Sequence, residues 1–338
     1  MLDEVEDELL APDQSETVDP LAAKRGDLLE QGYTVKSVLG QGATARALWV
    51  TKGDAKDKTD YVLKVALTED DNQRLLEEGK ALQKIQSEFI VNIYETTEIA
   101  GHTVLVLQKG GDESLSVHLR KYGVPAMDML SRYGSNLLSA LESLESHGVV
   151  HRDIKPDNVG IHSINKQQNQ LILYDFSLTS APLDNLRIGT PGYLDPFLKN
   201  RKSSKWDLAA ERYAAGVTLY EMTLGYDQRP KWGKDDAVDP AVTDDELVLD
   251  EEKFKPSVRE GLTRFFQTAL HRESEKRFDN AKEMRFAWEK VFMEADNQTV
   301  TTPSGEKVTT TIPLDEAKLD TLIAALDCRP VLVTPWTD

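Results

Sequence analysis

The chain has 338 residues, with 40 Lys and Arg against 58 Asp and Glu, and a formal net charge of −18. A hydrophobic content of 40% with 29% charged residues is globular composition, which excludes collagenous, mucin-like and wholly disordered chains. The acidic balance argues against a nucleic-acid or anionic-membrane partner, because both recruit Lys and Arg.

Residues 1–30 hold ten acidic and two basic side chains and read as a poorly ordered acidic extension whose Leu residues can dock locally. Its opening, MLDEVEDELLAPD, is acidic where a secretory signal is basic, and no apolar run reaches the roughly 18 residues of a membrane span. A soluble cytoplasmic protein is expected. Tyr33–Val38 and Ala45–Thr51 then read as strands around a Gly turn. Tyr61–Ala66 and His102–Gln108 are apolar β-branched runs, and a helix over Asp70–Gln86 interrupts them.

From Ser114 the period becomes helical, with Met129–His147 ending at Gly148. Short strands follow at Val159–His162 and Leu171–Tyr174, then helices at Glu211–Thr223, Ser257–Leu270 and Asn280–Ala295. Residues 235–252 hold nine acidic side chains and no basic one, so this stretch and residues 1–30 together carry −17 of the −18. Past Ala295 comes a Thr-rich stretch, a helical candidate at Leu314–Leu326, and Cys328, which as a lone cysteine builds neither a disulfide nor a thiolate zinc site. The sum is an α+β fold in which a small mostly-β unit precedes a larger mostly-α one.

The chemistry concentrates in His151-Arg152-Asp153-Ile154-Lys155-Pro156-Asp157-Asn158 and, 17 residues after Asn158, Asp175-Phe176-Ser177. An Asp that accepts a hydroxyl proton, a Lys that meets a phosphate and Asn/Asp oxygen ligands suit Mg²⁺-assisted phosphoryl transfer. Taken alone, the octapeptide is a polar turn between a helix and a strand, but a coincidence of this composition at this place is improbable. These residues resemble those of Ser/Thr protein kinases.

That resemblance implies a bilobal fold, with residues 31–108 as an N-lobe and 109–295 as a C-lobe. Residues 296–338 would be a C-terminal extension or the start of a further domain of a longer protein. It implies ATP and Mg²⁺ as cofactors. Leu39-Gly40-Gln41-Gly42 and Ala47 match the Gly-rich loop, Lys64 the strand lysine, and Glu78 its partner on the helix, with Glu77 as the competing register. Leu107 matches the gatekeeper, while Gln108 and Gly110 face the adenine. Asp153, Lys155 and Thr190 match the catalytic group, and Asn158 and Asp175 the metal ligands. The peptide-docking segment Ile188–Pro196 implies a protein substrate, and the acidic 235–252 loop suggests a basic one. Arg152 suggests regulation by phosphate on Ser177, Thr179, Ser180 or Thr190.

Five departures stand out. Ala45 and Ala47 depart from the third glycine and the valine of the loop pattern, and Ser177 replaces a glycine, which makes the flipped state of Asp175 less accessible. Phe197 stands where the family has a glutamate, so the usual buried ion pair is lost and Arg277 must find another acceptor. Glu211 replaces an aspartate at the start of the long C-lobe helix. These departures motivate the competing reading, a pseudokinase or nucleotide-binding scaffold without turnover. Together with Tyr193–Phe197, Trp206–Tyr213 and Arg277–Ala281, they also resemble the PglW-type kinases of bacterial phage-growth-limitation and BREX-like defence systems. That likeness implies a role in antiviral defence, with other defence proteins as partners.

Overall fold

Alternation and β-branching between residues 34 and 108 resolve into five antiparallel strands in a computed structural model that describes residues 18–53, 58–165, 168–203, 205–233, 239–297, 300–301 and 307–308. The strands are β1 (Thr34–Gln41), β2 (Ala45–Lys52), β3 (Thr59–Ala66), β4 (Ile93–Ile99) and β5 (His102–Gln108), in spatial order β1-β2-β3-β5-β4. Helix α1 (Glu69–Gln83) crosses from β3 to β4. Strand β4 has no counterpart in the sequence reading. It is an edge strand with only Ile99 fully buried, and its IYETTEI sequence lacks the apolar run that marks its neighbour β5.

Residues 18–30 are an ordered layer of this sheet lobe, not a loose extension. Ala23 and Leu29 are buried in one cluster with Leu48, Leu63 and Val106, and Val18 and Leu21 pack against it. Arg46 on β2 donates Nη2 to the Ala23 carbonyl at 2.7 Å. Gly26 and Leu29 donate backbone N–H groups to Val35 and Tyr33 at 2.8 Å each. The Leu docking anticipated for the segment therefore orders its second half; residues 1–17 lie outside the described ones.

A short β6 (Glu113–Ser114) and helix α2 (Leu115–Tyr122) lead into the helical lobe, built on α3 (Met127–Ser146). Strands β7 (Val159–Asn165) and β8 (Gln168–Leu173) complete a three-stranded sheet ordered β6-β7-β8. The long α4 (Leu208–Leu224) is buried almost throughout, as an all-round apolar helix must be. It opens at Leu208, three residues before the expected Glu211, because Asp207 caps it by accepting from the Ala210 N–H. A ladder of β9 (Lys231–Trp232) with β10 (Leu247–Val248) precedes α5 (Arg259–Ala269) and α6 (Ala281–Asn297). The expected helix at 314–326 and Cys328 lie outside the described residues. No helix among the described residues is long and apolar enough to cross a membrane.

The α3–α6 contact centres on Trp288, whose indole N–H donates to the Ser131 carbonyl at 3.0 Å. Its ring lies where a side chain at Gly134 would stand: a Cβ there would meet the indole at 2.1 Å. Gly134→Ala should therefore overpack this contact and destabilise the fold by about 1–3 kcal/mol, read as a lower urea midpoint with unchanged slope.

Candidate active site

Residues 151–158 leave α3 as a loop held from below by one buried carboxylate. Glu211, in the first turn of α4, accepts from the backbone N–H of Arg152 at 2.8 Å and of His151 at 3.1 Å. Its Oε1 also takes the Trp206 indole N–H at 2.6 Å. The longer side chain thus reaches the loop amides, as expected. Burial pushes the Glu211 carboxyl up to about 7, against the pull of those donors. Arg152 holds the left-handed backbone conformation, φ +70°, which turns the loop toward Asp153.

Asp153 is the centre of a closed hydrogen-bonded cluster. Thr190 donates its hydroxyl to Oδ1 at 2.6 Å, and Asn158 donates Nδ2 to Oδ2 at 2.9 Å. Lys155 lies 2.7 Å from Oδ2 and donates to the Thr190 hydroxyl at 2.6 Å. The Asn158 amide nitrogen is turned to Asp153, donating to both its carbonyl and its carboxylate, which leaves Oδ1 as a neutral oxygen donor.

Across the cleft, Lys64 on β3 donates to both Glu78 oxygens at 2.7 and 2.8 Å and to Asp175 at 2.8 Å. The register is settled in favour of Glu78. It is 3% exposed, whereas Glu77 points outward to Gln73 and Ser180. Burial alone would lower the Lys64 pKa, but the two carboxylates outweigh it and raise it, so the ammonium stays charged. Burial raises Glu78 and would raise Asp175, yet Lys64 holds Asp175 down at about 2. Asp175 has φ +67° and keeps 41% of its side-chain surface open to the cleft. The Ser177 hydroxyl hydrogen-bonds it. Phe176 is fully buried edge-on to the His151 ring. That imidazole accepts at Nδ1 from the Asp153 N–H and donates from Nε2 to the Tyr174 carbonyl, an arrangement of the neutral form that burial favours.

The residues expected on the base side lie on the sheet around Lys64 and on the segment that follows β5. Gly40 pairs with Ala47, and Ala47 pairs with Lys64, so the Gly-rich turn lies in register beside the lysine. Leu39 and Gln41 are exposed at the end of β1, and the Gly42 N–H closes the turn on the Ala45 carbonyl at 2.9 Å. Leu107 is buried behind Lys64, and Gln108 is tied to Asn92 through both its backbone N–H and its side chain. Gly110 begins the crossing to the helical lobe.

Two expectations resolve. Arg277 finds another acceptor, as expected, rather than staying solvated: Asp195, two residues before Phe197, binds it at 2.6 Å, with both side chains 1% or less exposed. Arg201 joins the same carboxylate and reaches Asp207 at 2.5 Å. Phe197 instead packs edge-on to Trp232 and under the Arg272 guanidinium. The second concerns Arg152, which was expected to receive a phosphate. Its guanidinium already donates to the carbonyls of Ala181, Pro182 and Asn185 at 2.7–3.0 Å and stacks on Trp206, and the residue is 1% exposed. The acidic loop is also less open than its charge suggested: Asp239 pairs with Lys199, Asp250 with Lys253 and Glu252 with Arg259. Asp195, Trp206 and Tyr174 support the site in ways the sequence did not assign. Asp195 and Trp206 stood in segments already singled out, Tyr193–Phe197 and Trp206–Tyr213, while Tyr174 stood only as a strand end.

Removing one partner of a buried pair strands the other charge. Asp195→Ala should lower stability by roughly 3–5 kcal/mol in urea titration, well beyond any exposed Asp→Ala control. For Glu211, the folded chain keeps the proton up to about 7 while the unfolded chain loses it near the ordinary 4.5. Its stabilising contribution is therefore full below pH 4.5 and declines as pH rises to 7. Because Trp206 donates to this carboxyl, Trp fluorescence should shift with a midpoint near 7, and Glu211→Gln should abolish the shift.

Comparison with known proteins agrees with this arrangement. Residues 33–288 match the protein kinase domain family. The chain is 37% identical over 96% of its length to the "Probable kinase PglW" of Streptomyces coelicolor, covering 23% of that protein. It is 31% identical over 57% of its length to "Probable serine/threonine-protein kinase 2" of Plasmodium falciparum, covering 38% of it. It is 30% identical over 57% of its length to "Putative ribosomal protein S6 kinase alpha-1" of Caenorhabditis elegans, covering 25% of it. The chain thus spans well under half the length of these relatives. With the sheet lobe, the helical lobe and the cleft residues in this order, the chain belongs to the protein kinase domain family.

Proposed function

We propose that this domain transfers the γ-phosphoryl group of ATP to Ser or Thr hydroxyls of a protein substrate. The observation that carries the reading is the pairing of two clusters across one cleft. Lys64 is fixed by Glu78 and Asp175, and Asp153 is fixed by Asn158, Lys155 and Thr190. Against a turnover-free scaffold stands the presence of every group the transfer needs. The substitutions at Ala45, Ser177 and Phe197 touch the supports and leave the reacting groups in place.

The oxygen donors suit a magnesium ion. Asp175 offers a carboxylate open to the cleft and Asn158 a carbonyl oxygen, both hard ligands, and two protein ligands leave room for phosphate and water. No group of three or more His, Cys, Asp or Glu that could hold a metal occurs among the described residues, which fits such a sparse site. When bound, Mg²⁺ neutralises charge across the phosphate oxygens.

Lys64 orients the α- and β-phosphates. Asp153 aligns the acceptor hydroxyl, whose oxygen bonds to the γ-phosphorus as the bridging oxygen leaves with ADP, and it takes the hydroxyl proton. Lys155 meets charge on the moving phosphoryl, held there by the Thr190 hydroxyl. Catalysis then lies in positioning and fixed charge. Similarity to the Streptomyces protein, together with the motif resemblance to the PglW-type kinases, supports a cytoplasmic role in bacterial antiviral defence alongside other defence proteins. The carboxylates of Asp244, Asp245 and Glu246 support a preference for basic substrates.

Labelled-ATP transfer to the protein itself and to a generic basic protein tests the reading. Asp153→Asn should lower kcat by roughly 10²–10⁴ without changing the melting temperature. Turnover near that of the wild type would remove the assignment.

A further inference from the structure

Two glycines and one tyrosine meet at the point where the crossing segment passes the helical lobe. A Cβ on Gly110 would lie 3.0 Å from Tyr174 Cδ1. A Cβ on Gly160 of β7 would lie 3.1 Å from Tyr174 Cε1 and 2.2 Å from the Gly110 carbonyl oxygen. A side chain at Gly160 would collide with the Gly110 backbone, and one at Gly110 would press on the Tyr174 ring. The two glycines together leave the room that the ring occupies.

That ring is fixed at both ends. Its backbone N–H donates to the Asn158 carbonyl at 3.0 Å, and its carbonyl accepts from His151. Its hydroxyl donates to the Asp157 carbonyl at 2.6 Å, and burial raises its pKa, so the donor stays protonated. Tyr174 directly precedes Asp175, and its ring edge lies against Gly110. It therefore runs from the phosphate side of the cleft to the base side.

We propose that Tyr174 forms the floor of the nucleotide-base site, an aromatic surface for the purine for which Gly110 and Gly160 leave the space. The inference rests on the reading of this cleft as an ATP site and adds the residue that sets its lower wall. Three hydrogen bonds, one of them from the ring's own hydroxyl, hold Tyr174 before any ligand arrives, so little conformational freedom is lost on stacking. Base–aromatic stacking depends on ring area and tolerates loss of the hydroxyl.

The test is calorimetric binding of Mg·ATP to the wild type and to the Tyr174→Phe, Tyr174→Leu and Tyr174→Ala proteins, with melting curves and steady-state kinetics on each. Tyr174→Ala should weaken ATP roughly tenfold or more, and Tyr174→Phe should stay within about threefold of the wild type. Tyr174→Leu should fall between them and serves if the Ala protein does not fold. In turnover, KM for ATP should rise while kcat changes less than about threefold. Unchanged affinity in both the Ala and Leu proteins, or a loss in Tyr174→Phe as large as in Tyr174→Ala, overturns the floor. So does a fall in kcat at constant KM, which marks Tyr174 as only a support for Asp175. A wild type that binds ATP without transferring phosphate removes the kinase reading and leaves the floor standing. A wild type that binds no ATP removes both.

Discussion

The Lys64 ammonium, held between Glu78 and Asp175, is the contact on which the site depends. The three groups arrive from β3, from α1 and from the segment after β8, so one cation ties the helix to the sheet and the sheet to the other lobe. Electrostatics makes the arrangement nearly obligatory. Glu78 is almost fully buried, and an unpaired carboxylate there would cost several kcal/mol, so α1 is held where Lys64 can reach it. Two carboxylates on one lysine also leave an excess negative charge. It lies on the cleft side at Asp175, where a cation and its phosphates are expected.

A second theme is that a physical requirement survives while the residue meeting it moves. A buried guanidinium needs an acceptor. Arg277 finds it in Asp195 rather than at position 197, where a phenylalanine joins an aromatic and cationic cluster. The loop amides of His151 and Arg152 need a carboxylate from below, and Glu211 meets them with one more methylene and the help of Trp206. Arg152 follows the same logic. Three carbonyls of the 181–185 segment take its two Nη groups, which ties that segment to the loop without an added phosphate. The Tyr174 ring lies beside Gly110 and Gly160, in the room their missing side chains leave.

The net charge of −18 has a local explanation. Part of the acidic N-terminal segment folds onto the sheet through its apolar residues, because Ala23 and Leu29 bury more than the scattered carboxylates oppose. In the 239–252 region, Lys199, Lys253 and Arg259 pair with three of the acids.

The sequence by itself determined the order of elements and the reacting groups. Apolar periodicity is a local property, and Asp153, Lys155, Asn158 and Asp175 sit in short motifs whose chemistry can be read without coordinates. Lys64 and Glu78 were legible for the same reason, although only the structure excluded Glu77. Tertiary structure alone decided what depends on residues far apart in the chain. Strand β4 exists because β5 offers it an edge, despite a polar sequence. The partner of Arg277 lies 82 residues away, and the ring over Gly160 comes from the far end of β8. Spacing within a motif is written in the chain. Which distant carboxylate, carbonyl or ring fills a buried space follows from packing, and packing is fixed only when the two lobes close on one another.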